Sequence, residues 1–164
     1  MNGVSIHNAT QWKAAALFGN TRIGSATVTG ARAIHGGDRK FYALLDLNTG
    51  RAIAEYDGQQ WNVLVRRTDL TPDGIEINTF NDHLSVNRRR DIAFVATSTR
   101  SRIVTRTADG KLHLVYSALD VTDSGDALWP FAYMSLQLHD DGRLYIVGLD
   151  TLDRNTLYVA EPLY

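Results

Sequence analysis

The hydrophobic residues of this chain occur in short stretches between polar turns, and this alternation repeats at a step of 52 residues. Segments 35–58, 87–110 and 139–162 can be written under one another. In each segment a polar turn is followed by an apolar stretch, a second polar turn and a second apolar stretch. A fixed period of this size indicates that one supersecondary unit is used several times, which constrains the fold before any single residue is considered.

Each repeat is predicted to hold short strands of distinct character. The first alternates between apolar and polar residues, which is typical of a strand with one face in a core. The second is almost wholly apolar, which favours a strand buried on both faces. In two repeats the third ends near an Asp-Gly pair, a strong hairpin signal because both central residues of its turn need positive φ. The predicted strands lie at 31–34, 41–47, 52–55 and 61–65, then at 84–86, 92–97, 103–107 and 112–116, then at 136–138, 144–149 and 156–160.

Four antiparallel strands repeated at about 50 residues are the signature of a β-propeller blade, and no segment has a convincing helical period. The sequence therefore predicts an all-β fold of β-propeller type with three blade repeats. One repeat domain is expected to span 1–164. Its parts are an orphan outer strand at 11–17, a first blade at 31–65, a second at 84–116 and an incomplete third at 135–160.

The third repeat ends after its third strand, which leaves a sheet edge that favours pairing with another strand. Segment 11–17 is the candidate partner, because it aligns with 60–65 and places Trp12 in the position of Trp61. Three blades are fewer than the roughly four to eight of closed propellers. We therefore expect a homodimer in which strand exchange completes about six blades. The alternative is that the chain is a piece of a larger propeller without independent activity.

Two segments carry a resemblance to known repeats: 68–97 reads TDLTPDGIEINTFNDHLSVNRRRDIAFVAT, and 139–148 reads HDDGRLYIVG. The first resembles a tandem repeat of secreted bacterial proteins of unassigned function, and the second is similar to the blade of TolB-type propellers. The residues that carry the first resemblance are Asp69, Pro72, Gly74, Phe80, Leu84, Asn87, Ile92, Ala93, Phe94 and Ala96. Arg90 stands where these families usually have glycine or its neighbour. The resemblance implies a propeller fold and, because its motifs are structural, no catalytic residues.

The composition excludes several kinds of chemistry. The chain contains no cysteine, which rules out disulfides, thiolate metal sites and cysteine nucleophiles. A formal net charge of −1 and short apolar stretches give no reason to expect binding to nucleic acid or to a membrane. No cofactor or metal is predicted. Residues 1–20 contain no recognisable leader, so we expect a cytoplasmic protein, or a secreted or periplasmic one if a leader has been removed.

Charge is distributed unevenly along the chain. Residues 1–65 hold six basic and four acidic groups, residues 66–108 hold eight and five, and residues 109–164 hold three and nine. One interpretation is that these charges lie on solvated strand faces. The other is that the basic middle meets the acidic end across a subunit contact.

One polar position of the repeat is occupied by His35, Asn87 and His139, at steps of 52 residues. One interpretation is a polar side chain that closes the turn after the first strand. The other is a ring of polar groups that binds a ligand at one end of the propeller channel. The asparagine in the middle copy makes a metal site less suitable, since imidazole and carboxylate are the usual ligands.

The densest aromatic cluster lies in a crossing loop and comprises Trp129, Phe131 and Tyr133. Loops carry many ligand contacts, so this cluster is a candidate carbohydrate site. The leading hypothesis is a non-catalytic binding or interaction module of propeller type, lectin-like if the ligand is a sugar. The alternative is a propeller-class carbohydrate-active enzyme that uses paired carboxylates such as Asp140 and Asp141. Linear motifs of common enzyme classes are missing, and no catalytic residue is predicted.

Overall fold

The computed structural model describes residues 2–7, 12–37, 40–118, 120–121, 125, 135–150 and 154–162. All regular structure in these residues is β-strand, which confirms the all-β prediction. The chain divides into two compact units, Met1–Arg67 and Thr68–Tyr164. The strands of the first unit are β1 (Gly3–His7), β2 (Trp12–Leu17), β3 (Arg22–Ile23), β4 (Ala26–Gly37), β5 (Lys40–Leu47), β6 (Gly50–Tyr56) and β7 (Trp61–Arg66). Those of the second are β8 (Thr79–Val86), β9 (Ile92–Thr97), β10 (Ser101–Arg106), β11 (Leu112–Ser117), β12 (Ser135–Leu138), β13 (Leu144–Leu149) and β14 (Asn155–Ala160).

The first unit contains a five-stranded sheet, in which β3 to β7 lie in chain order, and a two-stranded sheet of β1 and β2. All of these neighbours are antiparallel. The two-stranded sheet lies over one face of the larger sheet, since Val4 and Ala16 share a core with Ala43 and Ala54. The indole Nε1 of Trp61, at the start of β7, donates a 2.9 Å hydrogen bond to the backbone oxygen of Ala15. The first repeat therefore carries β2 against its outermost strand.

The second unit contains a four-stranded sheet in the order β11-β10-β9-β8 and a three-stranded sheet in the order β12-β13-β14. These are the sheets of the second and third sequence repeats. One face of β9 and β10 packs on the three-stranded sheet, so that Val95 and Ile103 share a core with Leu138 and Ile146. This packing follows from the almost wholly apolar sequences of β9 and β13, which need cover on both faces.

The strands with continuous apolar sequence lie where the pattern predicts them. Strand β9 covers 92–97 and strand β13 covers 144–149, as expected. The first strand of the first repeat is longer than the predicted 31–34, because β4 runs from Ala26 to Gly37 and absorbs two register shifts against β5. Each shift breaks the strict alternation on which the sequence prediction depends.

The prediction of an orphan strand at 11–17 needs a correction. Strand β2 is present, but it pairs with β1 in antiparallel register, from Gly3 opposite Leu17 to His7 opposite Trp12. The sequence analysis does not predict β1: Val4 and Ile6 alternate with Gly3, Ser5 and His7, but the segment has only five residues and only two of them are apolar. One edge of β2 is therefore occupied by a strand of its own chain.

Candidate functional site

Asn87 and His139 occupy equivalent turns in the second and third repeats. The backbone of Asn87 donates to the oxygen of Asp91 at 3.1 Å and accepts from the nitrogen of Arg90 at 3.0 Å. The backbone of His139 makes the same two bonds, with Arg143 at 2.9 Å and Gly142 at 3.0 Å. The step of 52 residues therefore preserves the turn between the first and second strands of these two sheets.

The two turns share an unusual backbone conformation despite their different sequences. Gly142 has φ of 90°, and Arg90, at the same position of the second repeat, has φ of 71°. A residue with a Cβ adopts this left-handed region at a cost of about 1 kcal/mol, whereas glycine adopts it freely. Arg90, in place of the glycine of the third repeat, therefore adds strain to its turn but leaves the backbone conformation of the turn the same.

The side chain of Asn87 joins the two turns. Its amide nitrogen Nδ2 donates to Asp91 Oδ2 at 3.0 Å and to the backbone oxygen of His139 at 3.1 Å. Its oxygen Oδ1 accepts a 2.9 Å bond from the backbone nitrogen of Asp91. Asn87 is buried, and these bonds use both donors of its amide group. The amide therefore fixes its own turn and the turn of the next repeat together.

Two further hydrogen bonds connect the second and third repeats, at steps of 52 and 53 residues. The backbone nitrogen of Arg88 donates to Asp140 Oδ1 at 2.8 Å, across 52 residues. The backbone nitrogen of Leu138 donates to Ser85 Oγ at 2.8 Å, across 53 residues and in a buried environment. We call these contacts, with the bond from Asn87 to His139, the repeat interlock. Residues that are about one sequence period apart are therefore in direct contact, and they lie on two neighbouring sheets.

His35 does not occupy the equivalent turn position. It lies inside β4, opposite Tyr42 of β5, and the pairing of these strands continues beyond it to Gly37 and Lys40. The prediction that His35 closes the turn in the manner of Asn87 is therefore wrong. The error arises because β4 and β5 stay paired as far as Gly37 and Lys40, whereas the pairing of β8 and β9 ends at Val86, directly before Asn87.

The imidazole of His139 is exposed and belongs to a charged group at the edge of the third repeat. Its Nδ1 lies 3.2 Å from Asp141 Oδ1, and its ring meets Tyr145 edge to face. A hydrogen bond from the backbone nitrogen of Arg143 holds the pKa of Asp141 below its usual range, with help from the His139 side chain. The hydrogen bond to Glu161 raises the pKa of Arg143. Ligand binding by His35, Asn87 and His139 stays a prediction.

The aromatic cluster of Trp129, Phe131 and Tyr133 lies outside the described residues. Its assignment as a carbohydrate site also stays a prediction.

The third repeat exposes one apolar sheet face, formed by Val147 of β13 with Leu157 and Val159 of β14. Val147 pairs directly with Leu157, so both side chains lie on the same face. Leu157 is 61% exposed and Val159 is 47% exposed. We call these three residues the open face. In the second repeat the pair equivalent to Val147 and Leu157 is Val95 and Ile103, and both are fully buried.

The open face was not among the sequence-predicted sites. A signal for it was present, because the continuous apolar run at 144–149 demands cover on both faces. The equivalent face of the second repeat is covered by the third repeat itself. The open face therefore differs from its equivalent in the second repeat by being exposed.

Comparison with known proteins gives no relative on which to base a function. No family model, curated protein or solved structure matches the chain. Within the described ranges, no cluster of three or more His, Cys, Asp or Glu side chains could hold a metal ion. No helix in the described part of the chain is long and apolar enough to cross a membrane. The function must therefore be argued from the repeat interlock and the open face.

Proposed function

We propose that this protein is a non-catalytic interaction module of the β-propeller type, in which the second and third repeats are blades that stack on one another. The observation that carries the proposal is the repeat interlock. Stacked repeats bring equivalent positions of neighbouring units together and bury a continuous core between them. Contacts at steps of 52 and 53 residues, beside the core shared by Val95, Ile103 and Ile146, have this character.

The hydrogen bonds that Asp140 and Asp141 accept support an interaction role over catalysis. Asp140 accepts the backbone nitrogen of Arg88 in the interlock, and Asp141 accepts the backbone nitrogen of Arg143 within its turn. The pKa of Asp141 is lowered, which is the opposite of what a general acid in glycoside hydrolysis needs. Both carboxyl groups therefore have structural partners that account for their positions.

A similar explanation covers Asp57 and Asp109, two further exposed carboxylates whose pKa values are lowered. Backbone hydrogen bonds from Gln60 and Gln59 lower the pKa of Asp57, and a hydrogen bond from Thr107 lowers the pKa of Asp109. Each of these residues precedes a glycine of positive φ in a hairpin turn between the third and fourth strands. Their shifts reflect turn formation, so the binding surface is better sought in sheet faces and edges.

The experiment that tests the stacked-blade arrangement is amide hydrogen exchange in the full chain, with Ser85→Ala as the variant. The Leu138 amide donates to Ser85 Oγ in a buried position. Removal of the acceptor leaves that N–H unsatisfied at a cost of about 1–2 kcal/mol. We expect exchange at Leu138 to become roughly five to thirty times faster.

Ser135→Ala is the matched control, because Ser135 begins the same strand β12 but is exposed. It should leave exchange at Leu138 unchanged. Equal Leu138 exchange in the wild type and Ser85→Ala would show that the second and third repeats do not interlock. That result would overturn the proposed propeller-type module.

A further inference from the structure

We infer that Asn2 is a site of self-modification: its side-chain amide reacts with the backbone nitrogen of Gly3, and the product releases the start of β1 from β2. Asn2 is the only asparagine of the chain that precedes a glycine, and both residues are exposed. The inference does not depend on the proposed function, because it concerns only the two-stranded sheet of the first unit.

The reaction needs these two residues and water. The Gly3 nitrogen loses its proton and attacks the side-chain carbon Cγ of Asn2. A bond from Cγ to the Gly3 nitrogen forms, the bond from Cγ to Nδ2 breaks, and Nδ2 takes up the proton and leaves as ammonia. Water then opens the five-membered imide. Opening at Cγ gives aspartate, and opening at the main-chain carbonyl gives isoaspartate, in which the chain runs through the former side chain.

Glycine favours this step, because it has no side chain to hinder the attack and its backbone reaches conformations closed to other residues. Asn48 shows the contrast. It is exposed as well, but Thr49 follows it with a branched side chain, and its Oδ1 accepts a 2.9 Å hydrogen bond from the Thr27 nitrogen. The amide of Asn48 is therefore both hindered and held.

The register of β1 leaves the Gly3 nitrogen available. Gly3 pairs with Leu17, and the nitrogen of Phe18 donates a 2.9 Å hydrogen bond to the backbone oxygen of Asn2. That bond flanks the Gly3–Leu17 pair, so the pair is a non-hydrogen-bonded one and the Gly3 N–H points away from β2. Among the described strands β1 pairs with β2 alone, so no ladder bond occupies this nitrogen on its other side.

The close approach of β2 explains why position 3 holds a glycine. A Cβ at Gly3 would collide with the backbone oxygen of Ala16. Position 2 has no such constraint, because Asn2 is exposed and its bond to Phe18 uses the backbone oxygen. The sheet therefore requires the residue that makes the reaction fast, whereas residue 2 can be exchanged without loss of the pairing.

The chain also has four Asp-Gly pairs that could form the same imide with loss of water, at 57–58, 73–74, 109–110 and 141–142. In three of them the glycine nitrogen is occupied by a backbone hydrogen bond, from Gly74 to Thr71, from Gly110 to Thr107 and from Gly142 to His139. In the fourth, Oδ1 of Asp57 accepts bonds from the nitrogens of Gln59 and Gln60. Aspartate is also ionised at neutral pH, which makes its carboxyl carbon a poorer target than an amide. Modification is therefore expected at Asn2 first.

Isoaspartate at position 2 disturbs the end of the sheet. The main-chain carbonyl that accepts the Phe18 N–H becomes part of a carboxylate outside the chain path, and the link to Gly3 gains one carbon. Residues 2 and 3 can then no longer both keep their places opposite Phe18 and Leu17. Gly3 has no room to move towards β2, because it already lies against Ala16. The start of β1 is therefore expected to separate from β2.

The first test follows isoaspartate in the full chain, kept folded in a mildly alkaline buffer. A protein isoaspartyl methyltransferase with labelled S-adenosylmethionine detects the groups, and fragmentation mass spectrometry assigns them. We expect label to accumulate at residue 2, and not at Asn48 or the Asp-Gly pairs. Asn2→Gln is the matched control, because it keeps an amide and the backbone bond but would need a six-membered imide, which forms far more slowly. It should stay unlabelled.

Three outcomes would overturn the modification site. One is equal labelling of the wild type and Asn2→Gln, and another is labelling of an Asp-Gly pair before residue 2. The third is a wild type that gains no label while folded, even if it gains label in urea, because the fold would then protect the Gly3 nitrogen.

The second test is amide hydrogen exchange at Phe18, which reports on the release of β1. We expect exchange at Phe18 to become roughly fivefold faster in the modified wild type, and to stay unchanged in Asn2→Gln after the same incubation. Exchange at Arg67, whose N–H is bonded to the backbone oxygen of Arg51, should not change in either chain. Equal Phe18 exchange before and after modification would show that the pairing survives, and would overturn the inferred release.

Discussion

Replacement of Asp73 by alanine is expected to remove a specific support of the second unit. Asp73 lies in the turn before β8, and its Oδ2 accepts a 2.7 Å hydrogen bond from Nε of Arg102 on β10. Its Oδ1 accepts a 2.6 Å bond from the hydroxyl of Thr71. The Arg102 side chain is only 7% exposed, whereas that of Asp73 is 32% exposed. The carboxylate therefore compensates a guanidinium that is nearly withdrawn from water.

The expected loss lies between two limits. Exposed ion pairs contribute about 0–1 kcal/mol, and removal of one partner from a fully buried pair costs about 3–5 kcal/mol. Asp73 is partly solvated, and Arg102 keeps a 3.1 Å bond to the backbone oxygen of Arg100. We therefore expect Asp73→Ala to lower the free energy of unfolding by about 2 kcal/mol at neutral pH.

The loss should depend on pH in a defined direction. Burial alone would raise the pKa of Asp73, but the hydrogen bonds from Thr71 and Arg102 outweigh it and hold the pKa below its ordinary value of 3.8. A lowered pKa in the folded state stabilises the fold fully above the unfolded value. This contribution disappears as the pH falls through the folded-state pKa. The difference between wild type and Asp73→Ala should therefore shrink below about pH 4.

Urea unfolding from pH 7 down to pH 3 measures both effects. Glu76→Ala is a suitable control, because it removes an exposed carboxylate from the same connecting segment and should change stability by no more than about 0.5 kcal/mol. Equal effects of the two substitutions, or an Asp73→Ala difference that is as large at pH 3 as at pH 7, would refute the role assigned to the pair with Arg102.

Two further predictions concern aromatic residues of the second half. The hydroxyl of Tyr158 is buried and has no hydrogen-bond partner among the described residues. Tyr158→Phe should therefore raise the free energy of unfolding, measured in urea, by about 1 kcal/mol. A loss of stability would mean that the hydroxyl has a hydrogen-bond partner. Trp129→Ala should abolish binding on a glycan array without lowering the melting temperature appreciably. A large fall in melting temperature would instead make Trp129 a core residue, and the absence of glycan binding in the wild type would reject the carbohydrate prediction.

The sequence predicts strands best where nearly every residue of a short run is apolar. The runs at 92–97 and 144–149 are apolar at nearly every position, and the structure has strands β9 and β13 there. Strand β3 is not predicted, because it consists of only two residues, Arg22 and Ile23, and two residues are too few to show an alternation. The extent of β4 is not predicted either, because register shifts between Val28 and Ala33 disturb the alternation.

The candidate site was likewise predicted only in part. A fixed step of 52 residues identifies Asn87 and His139 as equivalent, and the structure joins them through a hydrogen bond. The same step assigns His35 wrongly, since equal spacing in sequence does not imply equal strand register. The exposure of Leu157 depends on how neighbouring sheets pack on one another. The hydrophobic pattern of a single strand does not predict this packing. The hydrophobic run alone shows only that cover is needed.

We propose that the second and third repeats are stacked blades, and we expect two copies of the chain to form a dimer. The measurement that tests this most directly is the mass of the wild-type protein by light scattering on a sizing column. A mass near twice 18.2 kDa, unchanged on dilution through the micromolar range, is the predicted result. A mass of 18.2 kDa at all concentrations would contradict the account, because two copies of the chain would then not associate.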